Sequence, residues 1–168
     1  MLKLTLWILR ILRVLNIGAA LFFVGVLAAS FVLEARLVVH LAGKYPGADI
    51  VSVVGVARLI VLLGLLAVPP AQVMLTALFR MVRTVEEGDP FVPANARRLQ
   101  AIGWALLVLQ LADTAFGLLA GRVAQLGAQF GTGWSFSLIG WMAVLLVFVL
   151  ARIFAQGTAM RDELEMTI

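Results

Sequence analysis

Cysteine is absent from the 168 residues, and histidine occurs once, as His40. Without cysteine there is no disulfide, no thiolate nucleophile and no iron–sulfur ligand set. A single histidine cannot build a multi-histidine metal site or supply paired axial ligands to a haem. Charge is scarce too: 13% of the residues are Asp, Glu, Lys or Arg, against roughly 25% in a soluble domain. The sequence has no HExxH, GxSxG or P-loop pattern. Its few serines have no histidine nearby, and no two carboxylates stand at helical spacing inside an apolar run. No catalytic residue, cofactor site or metal site is therefore assigned, and the chain is not read as an enzyme.

What the chain has in abundance is apolar sequence: 63% of its residues are hydrophobic and the mean hydropathy is +1.08. Too little polar surface remains to cover a water-soluble globule of this size, so the class that fits is an all-α integral membrane protein. Spans are expected near residues 15–36, 53–80, 97–121 and 134–156, in a single membrane domain over 1–168. A cytoplasmic loop over 81–96 and a cytoplasmic tail over 157–168 complete it. The formal net charge of +4 comes from basic residues that flank apolar runs one or two at a time. Membrane lipid headgroups suit that pattern better than direct nucleic-acid contact.

Before the first span, Lys3, Arg10 and Arg13 fall within an arc of roughly 80°. This is either an amphipathic helix lying at the interface or a basic extension of the span. Residues 15–33 carry no charge, a run longer than the 7–15 residues of a usual signal core. Gly18 and Gly25 share a face with Ala29, which predicts an inward, closely packed side. The sequence from Lys44 to Asp49 is a turn signal, and His40 before it reads as a solvated residue. Pro69-Pro70 predicts a kink in the second span. Gly117 and Gly121 form a GxxxG pair, a weak signal for helix pairing. Trp134 and Trp141 suit one interface of the last span, and Arg152 the other.

Nine basic side chains (Lys3, Arg10, Arg13, Arg80, Arg83, Arg97, Arg98, Arg152 and Arg161) lie in the N-terminal flank, the central loop and the tail. Three (Arg36, Lys44 and Arg122) lie in the other two loops. The positive-inside rule then predicts an up-down-up-down four-helix bundle with both termini in the cytoplasm.

Two features need more than packing. Inside the spans stand Arg58, Asp113 and, one turn before Asp113, Gln110. An intramembrane charge requires a partner or water, so an Arg58–Asp113 ion pair is expected. The second feature is the central loop. Asp89-Pro90 reads as a helix cap followed by a first helical residue, and Pro93 and Asn95 repeat that signal. Phe91 lies among charges and is expected to fold against the helix ends or to anchor a partner.

Gly88-Asp89-Pro90-Phe91, followed by Asn95, Arg98-Leu99 and Ile102-Gly103, resembles a bacterial family of small four-span membrane proteins classed as a domain of unknown function. The tail looks similar as well, with Ile153-Phe154, Gly157, the polar residues Arg161, Asp162, Glu163 and Glu165, and the ending Met166-Thr167-Ile168. The resemblance implies the bacterial inner membrane and a neighbour that is a small helix-turn-helix regulator. Two readings follow. One is a non-enzymatic regulatory protein whose cytoplasmic loop and tail bind such a DNA-binding partner. The other is a small transporter, channel or immunity-type protein that uses Arg58, Gln110 and Asp113. Oligomeric state and ligand are not encoded in any pattern that the sequence displays.

Overall fold

The computed structural model describes residues 2–89, 91–128 and 134–165, with side chains described as far as residue 160. Among these the chain is all-α, with no strand. Its helices are α1 (Leu2–Val32), α2 (Glu34–Lys44), α3 (Ile50–Glu86), α4 (Pro93–Gln125) and α5 (Leu138–Glu165). Four helices are long and apolar enough to cross a bilayer: Leu2–Val32, Ile50–Glu86, Pro93–Gln125 and Leu138–Met160. The 37 residues of α3 extend roughly 55 Å at 1.5 Å per residue, well beyond a ~30 Å hydrocarbon core. A helix of that length tilts, or carries its ends into the headgroups.

Burial follows the logic of a bilayer. Leu21, Phe22, Val32, Ile139 and Leu145 are exposed, whereas Val53, Ala77, Ala105, Val123, Val144 and Ala151 are buried. Lipid tails solvate large apolar side chains without penalty, so they face outward. Small ones occupy the contacts and let helices approach.

The chain divides into two compact units. The first comprises Met1–Asn16, Pro69–Gln110 and Ser137–Ile168. Here Arg13 lies over the Phe79 ring at 5.5 Å, and Asn16 Nδ2 donates to Gln72 Oε1 at 3.0 Å. The second comprises Ile17–Val68 and Leu111–Phe136. It closes around Val53, Val123 and Ala128, with Tyr45, Val56 and Ile60 packed against them. Its turns are fixed by local hydrogen bonds. Asp49 Oδ1 accepts from the Ser52 N–H at 3.2 Å, an N-cap for α3. The Ser52 hydroxyl first, and its N–H second, hold the Asp49 carboxyl below its ordinary value. α4 ends in a Schellman motif, with Gly127 N–H to Ala124 O and Ala128 N–H to Val123 O. Gly127 adopts φ 88° there. The Asp49 N–H donates to Leu126 O, which ties this turn to the start of α3.

Several expected boundaries move. α1 begins at Leu2 rather than near residue 15, because no proline or glycine interrupts the chain before Gly18. The basic stretch is thus an extension of the span. α3 starts at Ile50 and stays helical through Pro69-Pro70. The last helix starts at Leu138, not at 134, since Ser137 Oγ accepts the Gly140 N–H at 3.1 Å and caps it. Gly18 and Gly25 do not pack inward: a Cβ on either would meet nothing within 4 Å. The close approach lies elsewhere in the same unit, where a Cβ on Gly64 would come within 2.8 Å of the Phe23 ring.

Candidate functional site

Arg58 stands on α3, two turns from its start, with its side chain 18% exposed. Nη2 donates to Ser30 O at 2.7 Å and to Glu34 Oε2 at 3.0 Å. Nε donates to Ser30 Oγ at 3.2 Å, and the guanidinium lies over the Phe31 ring at 4.0 Å. All three partners belong to the α1–α2 junction. There Leu33, with φ −104° and ψ 18°, interrupts the helix. The planar fork thus ties α3 to the break between α1 and α2, a task that suits arginine better than lysine.

This corrects the expected Arg58–Asp113 pair. Among the described residues Arg58 pairs with Glu34, and Asp113 Oδ2 instead accepts from Trp134 Nε1 at 3.2 Å. The indole lies directly over Gly117, one turn beyond Asp113, where any Cβ would overlap it. Gly121, the other half of the GxxxG pair, has open space around it. The two glycines therefore do different things: one seats a tryptophan and the other is simply exposed. Gln110 lies in the first unit, against Gly140 on α5.

The turn between α3 and α4 is a second polar cluster, wholly within the first unit. Gly88 adopts φ 89°. Its N–H donates to Val85 O and the Asp89 N–H donates to Thr84 O, which forms a Schellman motif at the end of α3. Asp89 thus closes α3 rather than capping α4, whose first residue is Pro93, a favoured first helical position. Asn95, 1% exposed, is the hub. Its Nδ2 donates to Thr84 Oγ1 at 2.8 Å, and Thr84 Oγ1 donates onward to Met81 O at 2.7 Å. Its Oδ1 accepts from Arg98 Nη1 at 2.7 Å, a nitrogen that also reaches Arg80 O at 3.2 Å. Around this fixed centre Arg83, Val85, Glu86, Glu87 and Gly88 are exposed, with Arg83 and Glu87 paired at 3.3 Å. Pro90 and the side chains of Arg161, Asp162, Glu163 and Glu165 lie outside the described residues, as do Met166, Thr167 and Ile168.

Phe91 stacks on Phe154 of α5 with ring centroids 5.6 Å apart, and yet it remains 52% exposed. The ring thus docks on the body of α5, through Phe154, rather than on a helix end, and about half of it stays exposed. Phe91→Ala is expected to lower stability by only about 1 kcal/mol, the scale of one aromatic pair, and not by the 3–5 kcal/mol of a buried Phe truncation. Unfolding of the purified protein in a denaturing-detergent titration measures this.

His40 is exposed on α2. No group of three His, Asp or Glu comes together as a metal site among the described residues. Sequence reasoning passed over Ser30, Glu34, Thr84 and the Asn16–Gln72 bond. The polar residues inside or just beyond apolar runs were their only signal.

Residues 12–168 match the protein family described as "Protein of unknown function (DUF2975)". No curated protein matches the chain and no solved structure matches it.

Proposed function

Because the chain belongs to the DUF2975 family of proteins of unknown function, we propose from its own residues that it is a non-enzymatic membrane anchor for a cytosolic partner. In this reading it lies in a bacterial cytoplasmic membrane with both termini and the α3–α4 turn inside. The turn and the tail hold the partner, and a small helix-turn-helix regulator fits that role. The observation that carries the reading is the construction of the turn. A mere linker needs no buried Asn95 and no Arg98 tether. These contacts hold an exposed mixed-charge patch, Arg83 to Gly88, in one shape. Preorganisation of that kind lowers the ordering cost of binding. A transport path is not favoured, since Arg58 and Asp113 each bond to a neighbouring side chain rather than to each other.

The test has two arms. Cysteines introduced at Gly47 and Gly127 are expected to label from outside the cell, and one at Asp89 only from inside. Outside labelling at Asp89 overturns the orientation. In the second arm, a photocrosslinker at Glu87 is expected to trap a soluble DNA-binding protein, and one at Gly47 to trap none. Truncation after Gly157 combined with Glu86→Gln and Asp89→Asn is expected to abolish the adduct at position 87 while membrane insertion persists. An undiminished adduct in that variant overturns the partner reading.

A further inference from the structure

A trough with a volume of about 700 Å³ runs along the first unit between α3 and α4. Its α3 wall is one stripe: Pro69, Val73, Thr76 and Arg80 follow at intervals of four, three and four residues, so they align along the helix axis. Its α4 wall repeats the pattern, with Ala94, Arg97-Arg98 and Ala101. Alanines at 77, 94 and 101 leave the space that larger side chains would fill.

The trough has two chemically different parts. Along Pro69, Val73 and Ala77 it is mostly apolar, with Gln72 and Thr76 as the polar side chains there, and Arg80, Arg97 and Arg98 line it together at the polar end of the hairpin. The described ion pairs are Arg58–Glu34 and Arg83–Glu87, so none of these three arginines has a carboxylate partner among the described residues. Arg98 uses Nη1 on Asn95 and on the Arg80 carbonyl. Arg80 and Arg97 are exposed. Three guanidinium groups with no carboxylate partner among the described residues, beside a mostly apolar channel, match one ligand chemistry: a phosphate joined to a hydrocarbon chain. Guanidinium forks bind phosphate bidentately, and basic pockets between spans take anionic headgroups. A soluble anion would have no use for the apolar part. A zwitterionic headgroup would bring a cation against the arginines.

We propose that this trough is a binding site for an anionic phospholipid, with its phosphate among Arg80, Arg97 and Arg98 and one acyl chain along Pro69, Val73 and Ala77. The bound lipid neutralises the repulsion among the three arginines and fills the gap between α3 and α4. It thereby supports the same hairpin that carries the α3–α4 turn. The proposal does not depend on any protein partner.

Native mass spectrometry of the full chain in neutral detergent tests it, with dioleoylphosphatidylglycerol and dioleoylphosphatidylcholine as probes at equal concentration. Phosphatidylglycerol is expected to be retained and phosphatidylcholine lost. Arg80→Gln with Arg97→Gln is expected to weaken phosphatidylglycerol retention about thirtyfold, from the typical attraction per basic residue. Arg98 is left in place because it holds the turn together. Arg10→Gln with Arg36→Gln removes the same charge at exposed positions elsewhere and is expected to leave retention unchanged. Val73→Trp keeps every arginine but fills the apolar channel, and is expected to weaken retention as well. Added inorganic phosphate is expected not to displace the lipid. Equal retention of the two lipids, an equal loss in the Arg10/Arg36 variant, full retention in Val73→Trp, or displacement by phosphate would each overturn the proposal.

Discussion

Arg58→Leu is expected to destabilise the protein by ~3–5 kcal/mol, chiefly through the charge-assisted hydrogen bonds lost at a part-buried site. The guanidinium makes three hydrogen bonds and one ring contact across the α1–α2 junction. Leucine restores none of these. The loss falls unevenly on the partners. Glu34 is 52% exposed in its side chain, so water replaces the arginine there, and the pair itself contributes only ~0.5–1 kcal/mol. Ser30 O and Oγ lie deeper and lose charged donors, a larger cost of ~1.5–3 kcal/mol each before relaxation. Arg58→Lys should recover less than half of the loss, because a single ammonium cannot reach Ser30 O, Ser30 Oγ and Glu34 in one fork. A double-mutant cycle in a denaturing-detergent titration separates the alternatives. Arg58 and Glu34 should show a coupling energy, and Arg58 and Asp113 should be additive within ~0.5 kcal/mol. Strong coupling to Asp113, with none to Glu34, would contradict the assignment of partners.

The four spans were legible because apolar runs of such length have few other uses. Their ends were less so. An apolar window does not register that Lys3, Arg10 and Arg13 can ride on a helix that continues the span, so the start of α1 was placed too late. The start of α5 was placed too early, because Trp134 looked like an interface marker while the cap at Ser137 carried no conspicuous pattern. For the polar residues the rule that an intramembrane charge needs a partner selected Arg58 and Asp113 correctly. It paired them with each other, since opposite charge was sought only within spans, whereas Arg58 pairs with Glu34 and Asp113 bonds to Trp134. Arg58 bonds instead to an uncharged carbonyl and hydroxyl at a helix break, and to a glutamate just past it. Ser30 and Glu34, four apart, were the available signal. Asn95 was noticed as part of a motif, but its bond to Thr84, eleven residues earlier, depends on how the Gly88 turn folds back. The Asn16–Gln72 bond went unseen although lone amides in apolar runs announce themselves as lone charges do.

Gly117→Val is the other large effect, and it separates two uses of glycine on one helix. The Trp134 indole lies on Gly117 with its Nε1–H on Asp113. A Cβ there forces the ring away, so two costs combine. Overpacking contributes about 1–3 kcal/mol. Loss of a hydrogen bond to a carboxylate adds about 1.5–3 kcal/mol. Part of each relaxes as the ring shifts, so a total of about 3 kcal/mol is expected. Gly121→Val, one turn along α4, meets open space. It should change stability by no more than about 0.5 kcal/mol, the difference in helix propensity between the two residues. Trp134→Phe retains a ring over Gly117 and removes only the N–H, at about 1.5 kcal/mol, the low end of the range for a hydrogen bond to a carboxylate. In a Gly117→Val background the same change should cost almost nothing, because the bond is already broken. Helix pairing through the two glycines predicts a different pattern. Both valine variants would then weaken self-association in a cross-linking assay, and the Trp134 background would be irrelevant. Equal effects at Gly117 and Gly121 would favour pairing. A loss confined to Gly117 and coupled to Trp134 would identify the indole seat as the reason for glycine at that position.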